Sequence, residues 1–270
     1  MIPFGDWSTR VGLLNRLLIT AALAASLFTT TLVSAEEVSG FAKGTIHPLY
    51  NAPGTPLLDQ FYYRFTSDDH HIRHISDQPE SAGTVMVAFH DQNWDDQYFY
   101  RVAHQRVPSA GIYYGSFNDV CVGSCTRTVW RPLGNYVFVL RGVRFYFHGT
   151  DHHIDEVGVI ENGGRVTTWF NDKNNDDTFI TYIDYAWVPQ SRFSTVSEIS
   201  GRVYTNGGTR RLVPVGDKKV IRGFRFDYVY DDHHIKEMGI MTNWNSIDVY
   251  YGDKNGDDDF DYRVKYAILN

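Results

Sequence analysis

Large apolar residues fall on alternate positions through most of the chain, and the alternating runs return in the same order. One run carries Phe61, Tyr63 and Phe65, a later one Val143, Phe145 and Phe147, and a third Phe224, Phe226 and Tyr228. Period-two alternation predicts strands with one buried face. A second run holds Ile154, Val157 and Val159, matched by Ile235, Met238 and Ile240, and its parity slips by one residue after the isoleucine. A β-bulge at the slip would return the later residues to the inward face, so the pattern predicts one there. A third run (Val85, Val87, Phe89; Val166, Thr168, Phe170; Ile247, Val249, Tyr251) precedes a polar stretch. A fourth (Tyr98, Tyr100, Val102; Phe179, Thr181, Ile183; Phe260, Tyr262, Val264) follows it. That order places the polar stretch at the tip of a hairpin. Shorter β segments are expected around Gly40, around 111–114 and around 201–204, and no segment beyond the N-terminal one has helical periodicity.

Two polar phrases punctuate these runs. Asp-His-His-Ile begins at Asp69, Asp151 and Asp232, intervals of 82 and 81 residues. Asp-x-Asn-x-Asp-Asp begins at Asp91, Asp172 and Asp253, intervals of 81. So regular a period implies three copies of one folding unit. The expected fold is all-β, with three tandem antiparallel β-sandwich-like repeats of about 80 residues packed together. The repeats run 36–108, 109–190 and 191–270, with joints near Pro108 and Pro189. Three blades are too few to close a propeller. Units of this size bury thin cores, which predicts packing of one against another.

Residues 1–35 read as a secretory signal: Arg10 and Arg16 flank an apolar stretch from Leu17 to Val33, and Val33-Ser34-Ala35 offers a small-residue cleavage site. A membrane anchor is the alternative, but the segment is short and its Thr-rich end weakly apolar. The expected location is therefore secreted or periplasmic, with no stable membrane insertion after signal removal. The net charge of −7 and the absence of a basic run argue against nucleic acid as a partner. Cys121 and Cys125, the only two cysteines, are expected to form a short-loop disulfide.

The polar phrases are the candidate chemistry, because turn residues are retained in every copy where packing does not demand them. Asp91, Asn93 and Asp95, with Asp172, Asn174 and Asp176 and with Asp253, Asn255 and Asp257, place oxygen donors on alternating positions. Such a set can converge on calcium. The match to an EF-hand ends early, since the sixth position is Asp96, Asp177 or Asp258 rather than glycine. An Asx-turn whose side chains cap backbone amides satisfies the same spacing. The paired histidines His70 and His71, His152 and His153, and His233 and His234 point to opposite faces if the chain is extended there. The pairs are read as structural rings, with contact to a ligand or saccharide as one alternative and a metal site using one His per repeat as another. Trp169 and Tyr250 fall on outward positions of the third strand, where rings beside Asp and Asn suit sugar stacking; packing beneath a neighbouring unit is the competing role.

The functional expectation is a secreted or periplasmic multivalent binding protein, lectin-like and calcium-dependent, whose partner is a glycan or another extracellular ligand. The alternatives are a metal-assisted hydrolase using His and Asp, or a structural surface protein without a small ligand. No nucleophile elbow, His-Glu-x-x-His or P-loop occurs. Triplication also favours binding over catalysis.

Overall fold

The alternating runs become strands, and where each strand finds its partner decides the architecture. The computed structural model describes residues 35–49, 54–66, 72–80, 84–91, 96–147, 154–172, 178–204, 208–229, 234–253 and 259–270. The first repeat supplies β1 (Ala35–Lys43), β2 (Thr55–Phe65), β3 (Ile72–Pro79), β4 (Val85–Asp91) and β5 (Gln97–Val107). The second supplies β6 (Tyr113–Val122), β7 (Ser124–Thr128), β8 (Tyr136–Phe147), β9 (Ile154–Asn162), β10 (Arg165–Asp172) and β11 (Thr178–Pro189). The third supplies β12 (Phe193–Val203), β13 (Gly208–Leu212), β14 (Lys219–Tyr228), β15 (Ile235–Asn243), β16 (Ser246–Asp253) and β17 (Phe260–Leu269). The protein is all-β, and every paired strand is antiparallel to its neighbour.

The strands form three sheets, ordered β1-β5-β2-β15-β16-β13, β12-β17-β14-β9-β10-β7 and β4-β3-β8-β11-β6. Each sheet joins strands of two repeats, so the repeats are not three sandwiches lying side by side. The joins are short ladders in one register: Glu237 to Ile240 opposite Arg64 to Phe61, His74 to Asp77 opposite Tyr146 to Val143, and Glu156 to Val159 opposite Asp227 to Phe224. Counting the repeats by number, the seams run one to three, one to two and two to three, closing a cycle.

Within a repeat, the layer made by its first and last strands faces the layer made by its middle strands. Phe65 stacks on Phe89 at 4.6 Å, Phe147 on Phe170 at 4.3 Å and Tyr228 on Tyr251 at 4.3 Å. The same three inner rings meet a third edge-on: Phe89 and Tyr98 at 6.2 Å, Phe170 and Phe179 at 6.0 Å, Tyr251 and Phe260 at 5.8 Å. These contacts correct the hairpin expectation. β4 and β5, β10 and β11, and β16 and β17 do not pair; in each case the two strands lie in different sheets. Both turn an apolar face toward the same interior, so the chain arches between layers rather than folding back within one.

The bulge expectation holds in all three copies. The ladder skips Arg73 between Ile72 and His74, Asp155 before Glu156, and Lys236 between Ile235 and Glu237. A second, unforeseen set of bulges falls at Asp59, Arg141 and Arg222 in the equivalent strands β2, β8 and β14. Those three strands pack against one another. Beside them Leu57, Val139 and Val220 join Val107, Val188 and Leu269 in a separate apolar cluster to which every repeat contributes.

Cys121 and Cys125 form the expected disulfide, with Cα atoms 5.8 Å apart. The bond joins β6 of one sheet to β7 of another. It therefore ties the two layers of the second repeat together at one edge rather than pinning a single loop. Replacing both cysteines by alanine should lower unfolding free energy by no more than about 2 kcal/mol, because the closed loop is short. The seams should be less forgiving. A Cβ built on Gly158 lies 2.5 Å from the Phe224 carbonyl oxygen and 2.7 Å from the Arg225 Cα. Both are backbone atoms of the partner strand, so Gly158→Ala should cost about 1–3 kcal/mol in a urea titration through forced separation of the seam.

Candidate functional site

The strand ends bring the two polar phrases of each repeat together. The isoleucine of each Asp-His-His-Ile pairs with the first aspartate of the acidic phrase: Ile72 with Asp91, Ile154 with Asp172, Ile235 with Asp253. The strands that enter and leave the phrases also meet there, with the Thr66 amide donating to the Gln97 carbonyl at 2.9 Å and the Val229 amide to the Asp259 carbonyl at 3.1 Å. The first phrase thus ends, and the second begins about 20 residues on, at adjacent backbone positions, three times over.

Most of the predicted donors fall outside the described residues: His70, His71, His152, His153, His233, Asn93, Asp95, Asn174, Asp176, Asn255 and Asp257. The same holds for the side chains of Asp172 and Asp253. Of those described, Asp91 is buried and His234 is half-buried. Among the described residues no three His, Cys, Asp or Glu side chains converge as a metal site. None of their helices is long and apolar enough to cross a membrane.

Trp169 and Tyr250 are half-buried, and each meets a side chain from the next repeat across a seam. The Arg225 guanidinium lies 5.0 Å from the Trp169 ring centre, while the Tyr62 ring meets Tyr250 edge-on at 5.0 Å. Their counterpart in the first repeat, Ala88, is fully buried. The seams differ in polar chemistry at matching positions. At one, Glu156 accepts hydrogen bonds from Arg225 and from Asn171 (3.0 Å), and burial pushes its carboxyl up to about 7 against the pull of Arg225. At another, the Tyr62 hydroxyl donates to Glu237 at 2.7 Å. At the third, His74 and His90 share a hydrogen bond of 3.1 Å, and His90 also meets the Thr45 hydroxyl at 3.2 Å. Burial lowers both rings, His90 to about 4, so at neutral pH one imidazole donates and the other accepts.

Sequence reasoning did not find these seam residues, because the strands that meet at each seam belong to different repeats. The available signal was the outward parity of the first strand, where Tyr62, Arg144 and Arg225 stand between inward aromatics. It also missed a polar interior peculiar to the first repeat. His104 and Asp77 lie 3.5 Å apart, fully buried, where the other repeats have Tyr185 with Val159 and Tyr266 with Ile240. Burial raises the Asp77 carboxyl and lowers His104 to about 3, disfavouring the charged form of each, and His104 donates to the Arg141 carbonyl at 3.0 Å. At the bulge of β2, Asp59 accepts from the Thr242 hydroxyl at 2.5 Å and the Gln105 amide at 2.7 Å. Burial holds its carboxyl at about 7 despite those bonds.

No protein-family model matches this chain, and no curated protein matches it either.

The buried groups give opposing pH dependences. Asp59 rises from 3.8 to about 7 on folding, so the folded state binds more protons in that window and loses stability as pH rises through it. His104, lowered from 6.5 to about 3, acts the other way: the unfolded state binds more protons, and stability is lost as pH falls through that window. Asp59→Asn removes only the first effect. Relative to the parent, its urea midpoint should climb between pH 4 and pH 7, and a parallel pair of curves would contradict the assignment.

Proposed function

We propose that this chain is an exported, three-module binding protein whose paired polar phrases hold calcium and present glycan-binding ends. The observation that carries the reading is the pairing of Ile72 with Asp91, Ile154 with Asp172 and Ile235 with Asp253, which sets the end of one phrase beside the start of the other in every repeat. Oxygen donors from the acidic phrase fall short of calcium's six to eight ligands, and the neighbouring Asp-His-His segment is the natural source of the remainder. A cation would also relieve the repulsion among carboxylates crowded into each phrase. Three equivalent ends on one rigid scaffold favour avidity toward a repetitive glycan. The disulfide is compatible with an oxidising compartment outside the cytoplasm, and the apolar run from Leu17 to Val33 supports export.

Calcium titration is the test. At about a hundredfold excess over Kd, one site contributes roughly 2.7 kcal/mol, so the melting temperature should rise by about 5 °C or more and return with chelator. The triple variant Asn93→Ala, Asn174→Ala, Asn255→Ala should lose most of that rise while melting normally without calcium. A glycan array probed with and without calcium should show binding only with it. Melting that ignores calcium, together with an array blank in both conditions, would return the phrases to plain turns on a structural scaffold.

A further inference from the structure

The three sheets occupy equivalent positions in the molecule, so each serves as a control for the others. The sheet that begins at β1 carries a feature the other two lack. Phe41, Phe99, Tyr62 and Tyr250 form a row of rings running across it, from β1 over β5 and β2 to β16. Phe41 meets Phe99 at 5.4 Å, Phe99 meets Tyr62 at 6.2 Å, and Tyr62 meets Tyr250 at 5.0 Å. The row spans four strand spacings, about 19 Å. Its outermost ring is also its most exposed, Phe41 at 65%.

At the matching positions of the sheet that begins at β12 stand Arg202, Asp261, Arg225 and Trp169. There Arg202 and Asp261 form an ion pair at 2.7 Å and Arg225 covers the tryptophan. In the remaining sheet the places belong to Val120, Ile180, Arg144 and Ala88. An aromatic row is thus not a requirement of the architecture, since two of three sheets fold without one.

Beside the row opens a cleft of about 560 Å³, lined by Phe41, Phe99 and Tyr62 together with Arg64, Lys236 and Thr66. Two cationic side chains converge here on a chain whose net charge is −7. Among the described residues, Glu37 accepts from Arg101 at 2.9 Å and from Gln60 at 2.8 Å, and Glu237 accepts from Tyr62. Rings suit the C–H faces of pyranoses, and a guanidinium forks a carboxylate in a geometry that no neutral sugar exploits.

We propose that this cleft is an acidic-saccharide site, in which Phe41, Phe99 and Tyr62 stack on sugar rings and Arg64, assisted by Lys236, pairs with a uronate carboxylate. The proposal deepens the glycan reading above and rests on it. It differs in assigning one sheet face rather than three loop ends, and in requiring charge on the ligand.

Calorimetry with a glucuronate-bearing xylo-oligosaccharide and with the same oligosaccharide lacking glucuronate tests it, on the full chain with and without calcium. The acidic probe should bind at least about tenfold tighter than the neutral one. Arg64→Gln should abolish that preference, and Phe41→Ala should weaken both probes about tenfold; neither exposed side chain is needed for folding, and an unchanged melting temperature checks this. Equal binding of the two probes, unmoved by either variant, overturns the cleft assignment while leaving the wider glycan reading standing. Absence of binding by both probes overturns the cleft assignment, and the array then decides the wider reading separately. A change of oligomeric state in Phe41→Ala, without loss of affinity, would instead make the row a contact between copies and overturn the proposal.

Discussion

In the first repeat a three-stranded layer ends at β2 and a two-stranded layer ends at β3, and both of these edges face another repeat. The backbone amides and carbonyls on those edges need partners, and an unpaired edge would be open to pairing with another chain. β15 of the third repeat satisfies one edge and β8 of the second satisfies the other. The pairing of β14 with β9 closes the cycle. Every other property of the protein depends on those three short ladders. They make the sheets continuous, hold three thin cores in one mass and fix the register in which one repeat faces the next.

The seams also explain where variation is tolerated. Inward positions keep aromatic rings in all three copies, since a stacked trio such as Phe147, Phe170 and Phe179 fills a space bounded by two layers. Outward positions lie on the other side of each strand, away from those rings. There the copies diverge into a histidine pair, a glutamate clasped by arginine and asparagine, and a tyrosine bonded to glutamate. Divergence on a common scaffold is how one surface can acquire an aromatic row while its counterpart is neutralised by ion pairs.

The first repeat departs furthest from the others inside as well as outside. Asp77 and His104 stand in its interior where the other copies bury aliphatic and aromatic groups. Asp59 occupies a bulge where they have arginine. Removing a charge from water costs more than these hydrogen bonds return, so the groups respond by neutralising. Asp77, His104 and Asp59 give the first module a polar interior that its counterparts lack at the matching positions.

The sequence by itself determined the local structure. Alternation identified the inward residues of three principal strands in every repeat and of the second strand in two of them, because a half-buried strand favours that pattern, and the parity slip after Ile154 and Ile235 located the bulges. The spacing of two cysteines was enough for the disulfide. Only the tertiary structure decided which strand lies beside which. An antiparallel neighbour two residues away and one a hundred residues away present the same alternation, so periodicity could not separate a hairpin from the arch that carries Asp91, Asp172 and Asp253 between sheets. For the same reason the meeting of Tyr62 with Tyr250, and of Arg225 with Trp169, was invisible along the chain: those contacts belong to the pairing of edges, and edge pairing is settled by the hydrogen-bonding groups of the backbone, which every residue carries alike.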